Sequence, residues 1–119
     1  MKLVISGTVP SKKNSRINTR SGRSFPSKRF TDWEKPALQE LASQFRGLSV
    51  TGYPISMTMV FYNGDRRRHD LDNQSSSILD TLVKSGVIED DNQNFVESLQ
   101  LSYGGVDKDN PRCEIYLDD

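Results

Sequence analysis

Hydrophobic positions along the chain alternate in short runs, broken by two stretches with helical spacing. In Pro54–Tyr62, every second residue is apolar, so Ile55, Met57, Met59 and Phe61 share one face of a strand. The same period places Cys113, Ile115 and Leu117 inward on a final strand from Arg112 to Leu117. Phe95 to Tyr103 reads as another strand, with Phe95, Leu99, Leu101 and Tyr103 at even spacing. Lys2 to Val9 forms a first strand that ends at Pro10, and Gly104 to Pro111 forms a turn.

Two segments follow the helical period. Phe30, Trp33, Ala37, Leu38, Leu41 and Phe45 lie near one face of a helix that ends at Phe45 or Arg46, with Gly47 as its stop. Thr31 and Glu34 form a capping box at its start, although Pro36 moves the expected start as late as Lys35. Trp33 reads as the anchor of this helix on the sheet. The second helix runs from Gln74 to Ser85, capped by Asn73 and stopped by Gly86. The order β-loop-α-β-α-β-β predicts an α+β fold: one small domain spanning residues 1–119, with a mixed four-stranded sheet and two helices.

Composition narrows this picture. The chain has 119 residues, enough for one core, and hydrophobic residues make up only 34%, so the core is modest and a dimer would help stabilise it. No apolar run approaches a membrane span, and the apolar start is too short for a secretion signal. The single Cys113 reads as a buried small hydrophobe, and these features together suit a cytosolic (cytoplasmic) protein.

The formal net charge is zero, but it is unevenly spread. Residues 1–68 carry 13 Lys/Arg against 4 Asp/Glu, and residues 69–119 carry 3 against 12. This is either a basic binding surface beside an acidic cluster or two halves that neutralise each other. The basic residues concentrate in 11–29, read as an exposed hairpin or loop with its tip at Ser21-Gly22. Lys12, Lys13, Arg16, Arg20, Arg23, Lys28 and Arg29 form its patch, and Arg66, Arg67 and Arg68 make a second one.

The acidic residues centre on Asp70-Leu71-Asp72-Asn73 and Glu89-Asp90-Asp91. Read as a strand end, Asp70 and Asp72 point to one face, and the chain returning after the helix can bring Asp91 beside them. Carboxylates crowded together raise one another's pKa, so a hard divalent cation is the usual reason for such a cluster. An EF-hand is excluded, because its loop needs Gly at Ser75 and Glu at Thr81. His69, on the opposite side of such a strand, is assigned a surface or packing role, and Asp80 is expected to pair with Lys84. There is no phosphate-binding glycine loop and no nucleophile–His pair. The residues thus point to metal-dependent phosphodiester cleavage using Mg²⁺ or Mn²⁺, against a solvated acidic turn as the alternative.

Arg66-Arg67-Arg68-His69-Asp70-Leu71-Asp72-Asn73, then Ile78-Leu79-Asp80-Thr81-Leu82, Gly86 and Asp90-Asp91, resemble the RusA family of Holliday junction resolvases. Val9-Pro10-Ser11-Lys12-Lys13-Asn14-Ser15-Arg16 is similar to that family's basic N-terminal motif. The resemblance implies a homodimer, often encoded in phages and prophages, that resolves four-way DNA junctions by paired nicks with Mg²⁺ or Mn²⁺. It maps the catalytic aspartates onto Asp70, Asp72 and Asp91. It also implies a lysine four residues after the second aspartate, where this chain has Ser76. A nuclease for other branched DNA and a junction-binding protein that no longer cuts are the alternatives.

Overall fold

The sheet in the computed structural model has the strand order β1-β6-β4-β5, formed by β1 (Lys2–Ser6), β4 (Ile55–Asn63), β5 (Val96–Val106) and β6 (Arg112–Asp118). β4 pairs parallel with β5, and the other two pairings are antiparallel, so the sheet is mixed as expected. A separate two-stranded hairpin joins β2 (Arg16–Asn18) to β3 (Ser24–Pro26), as expected of the basic stretch. The helices are α1 (Lys28–Phe45) and α2 (Leu71–Ser85). The structure describes residues 1–11, 16–18, 24–46, 50 and 52–118, with only the backbone of the hairpin strands. Among them, no helix is long and apolar enough to cross a membrane.

The alternating strands bury the face their pattern predicts. Ile55, Met57, Met59 and Phe61 of β4 are buried, as are Cys113, Ile115 and Leu117 of β6. Each such side chain contributes roughly 1.5–3 kcal/mol through the apolar area it removes from water. Phe30, Trp33, Ala37 and Leu41 of α1 and Ile78 and Leu82 of α2 cover this face.

Both helices start earlier than their sequence signals suggest. Ser27, not Thr31, is the N-cap of α1, its hydroxyl accepting from the Phe30 N–H at 3.3 Å. Burial of Phe30 draws this extra turn into the helix. Pro36 sits inside α1 on an exposed position, and the left-handed residue that ends the helix is Arg46 rather than Gly47. α2 starts at Leu71 with Asp70 as N-cap, so Asp72 belongs to its first turn and Asn73 is not the cap.

The two edges of the sheet differ. On β1, the Gln44 amide takes both backbone groups of Val4: it accepts from the N–H at 2.7 Å and donates to the carbonyl at 2.6 Å. Glu40 accepts from the Ser6 N–H at 3.0 Å and from its hydroxyl at 2.6 Å. α1 thus supplies side-chain partners where a further strand would bond. β5 is the opposite edge. Its Leu99 and Tyr103 pair in register with Met57 and Phe61, on the core side, yet remain 38% and 56% exposed.

Candidate active site

Buried polar residues fix the N-terminal end of α2. Gln74 is buried and donates to the Val9 carbonyl at 3.0 Å and to the Asn63 side chain at 3.1 Å. The buried Ser77 hydroxyl donates to the Pro10 carbonyl at 2.7 Å. Thr8 accepts from the Gly64 N–H at 2.8 Å. These bonds satisfy backbone groups that would otherwise be buried unpaired. They also hold Val9 and Pro10 against α2, and Ser11 lines the same cavity as Asp70. Lys12, Lys13, Arg20 and Arg23 lie outside the described residues, and Arg16 is described only as backbone in β2.

Asp70, Asp72 and Asp91 are all exposed. Asp70 has the extended dihedrals of an N-cap, yet its carboxylate makes no capping bond and, among the described residues, accepts only from the Asn73 amide at 3.4 Å. The strand end expected to carry Asp70 and Asp72 does not form: Asp70 is the extended N-cap and Asp72 belongs to the first turn of the helix, so both stand at its N-terminal end. Asp72 suits the positive end of the helix, and its carbonyl accepts from the Ser75 and Ser76 hydroxyls at 2.8 and 3.0 Å.

Asp91 lies at the other end of α2. The segment after the helix returns to the start of β4: the Glu89 N–H donates to the Tyr53 hydroxyl at 2.9 Å and the Ile55 N–H to the Phe95 carbonyl at 2.8 Å. Asp70, by contrast, follows the end of β4. Within one chain the expected meeting of Asp91 with Asp70 and Asp72 therefore does not occur. No group of three or more His, Cys, Asp or Glu among the described residues could hold a metal. Partial burial raises the pKa of Asp91, and the neighbouring Asp90 and the charge of Asp80 on α2 raise it further. Lys84 pairs with Glu34 of α1 at 3.0 Å, not with Asp80 as expected.

A cavity of about 300 Å³ opens at the N-terminus of α2, where Arg29 from α1 meets Arg67, Arg68, His69 and Asp70. A second hollow, of about 380 Å³, lies between the same loop and Tyr103. His69 is half-buried between them, and its Nε2 has no hydrogen-bond partner. Burial lowers its pKa, and the Arg29 charge lowers it further, so the neutral imidazole is favoured. The sequence reading gave His69 no place in this cavity. Its strand-face argument failed because no strand forms there, and nothing local pairs residue 69 with residue 29.

The family model described as "Endodeoxyribonuclease RusA" matches residues 7–118. The chain is also 36% identical over 95 residues to a crossover junction endodeoxyribonuclease RusA from Aquifex aeolicus (strain VF5). That alignment covers 80% of this chain and 75% of the relative.

Proposed function

The chain belongs to the RusA family of endodeoxyribonucleases, and we propose that it resolves four-way DNA junctions by paired nicks, as a two-fold homodimer in the cytoplasm. Asp70, Asp72 and Asp91 are its metal ligands and Mg²⁺ or Mn²⁺ its cation. The observation that carries this reading is the meeting of opposite charges at the start of α2. There an exposed, non-capping carboxylate, Asp70, shares a cavity with Arg29, Arg67 and Arg68. Guanidiniums hold phosphodiester oxygens, and carboxylates hold the hard cation that accompanies them.

The donor set fits such an ion, because all three ligands are carboxylate oxygens. When bound, the cation would activate a water and stabilise charge on the scissile phosphate. The chain's own residues bind and orient the strand. Lys12, Lys13, Arg16, Arg20, Arg23 and Arg66–Arg68 grip the backbone around the break.

The position of Asp91 supports the dimer. With Asp70 and Asp72 at one end of α2 and Asp91 beyond the other, the third ligand comes from a second copy. The exposed Leu99 and Tyr103 of β5 offer apolar surface for that copy. A two-fold dimer then has two equivalent sites for the two equivalent strands of a junction.

The test is incubation of the purified protein with labelled junction, flap and linear duplex, with and without Mg²⁺. The expected result is paired nicking of the junction only when Mg²⁺ is present. Asp70→Asn, Asp72→Asn and Asp91→Asn should each abolish cleavage and retain binding. Preferential flap cleavage would redirect the assignment, and metal-independent cutting would refute it. Binding without any cutting would favour a junction-binding protein that no longer cuts, in keeping with Ser76 in place of the family lysine.

A further inference from the structure

We infer that the cavity between the first turns of α1 and α2 seats one DNA backbone phosphate, gripped by Arg29 and Arg68. This rests on the nuclease reading above and adds to it a binding site whose main residue lies on α1. Three arginines line it beside the positive end of α2. Among the described residues, Arg29 and Arg68 have no acidic partner within ion-pair distance, and Arg67 has only Asp65 at 3.7 Å. Like charges gathered at a helix N-terminus repel one another unless an anion sits among them. The cap also leaves room for one, because the Asp70 side chain makes no bond to the first-turn N–H groups.

A second observation marks the same place. Gln74 is 1% exposed and lines the cavity, and its Oε1 has no hydrogen-bond partner although its Nε2 makes two bonds. His69 lines it too, and its buried Nε2 is equally unpartnered. Buried polar atoms left unpaired in a roomy polar cavity mark where a ligand and its bridging water settle. The cavity of about 300 Å³ has space for a phosphate and such a water. Asp70 also lines it, so the seated phosphate lies beside a proposed metal ligand.

The test uses the full chain with a labelled four-way junction and no divalent cation, titrated across a salt series. Arg29→Ala and Arg68→Ala should each weaken binding several-fold at low salt. Each should lower the slope of log affinity against log salt by up to about one unit. The double variant should also lose about one unit, because both residues serve the same phosphate. Arg29→Lys should recover part of the loss. A loss of about two units in the double variant would assign the residues to separate phosphates and overturn the single seat. Should Arg29→Ala bind and cut like the wild type, the cavity assignment fails while the nuclease reading stands. A wild type that neither binds nor cuts any DNA defeats both. Arg29 is exposed, so its variants should fold, and thermal melting checks this.

Discussion

Mixing two inactive variants should restore cleavage. Asp70→Asn and Asp91→Asn each remove a proposed ligand, so each protein alone should be dead. Asp91 feels the charge of Asp80, which lies two turns beyond Asp72 on α2, about 12 Å along the axis at 1.5 Å per residue. Oxygen ligands sit only about 2–2.5 Å from such a cation, and among the described residues of one chain no three carboxylates could hold it. If the third ligand comes from the other copy, a mixed dimer has one site lacking both aspartates and one site intact. Random exchange at equal concentrations makes half the dimers mixed, so about a quarter of all sites should be active. Because a mixed dimer has only one working site, its main product should be a nicked junction rather than two resolved duplexes. Single-turnover cleavage, with denaturing gels for nicks and native gels for resolution, reads both quantities. If the two proteins exchange protomers and the mixture stays dead, each site is built within one chain and the shared-site argument is wrong.

Two further outcomes follow from single positions. Ser76 lies one turn beyond Asp72 on the same helical stripe, so Ser76→Lys should raise the single-turnover cleavage rate more than junction affinity. The gain is bounded by the roughly 100-fold that comparable electrostatic partners supply; no gain would mean that another cation already fills that role. Gly104→Ala should destabilise the fold by about 1–3 kcal/mol in urea melts, because a Cβ there would stand 2.6 Å from the Tyr62 ring, whose position is held by the Arg112 guanidinium 4.0 Å from its centroid; unchanged stability would show that the ring moves freely.

The strands were legible because one buried face imposes strict alternation, which β4 and β6 obey along their whole length. The start of α2 was not, for a physical reason. An N-cap residue has strand-like dihedrals, so Asp70 does sit in extended backbone while Leu71 already belongs to the helix. A sequence pattern cannot separate the last residue of a strand from the cap of a helix. Gln74 and Ser77 are polar residues of the expected helix that the fold buries, because Val9 and Pro10 need donors for their carbonyls. The acidic and basic residues were visible in the sequence, but the approach of Arg29 to Arg68 and His69 depends on how α1 lies against α2.

The side chains of Glu40 and Gln44 also set a limit on growth. A sheet with two free edges can add copies at both ends and run on as a fibre. Here one end is sealed by α1, and only β5 can accept another strand. Pairing through β5 alone must join like to like, and that pairing uses up the open edge of both partners. Such an assembly stops at two, so the same helix that carries Arg29 to the cavity beside Asp70 also guards the β1 margin of this sheet against polymerisation.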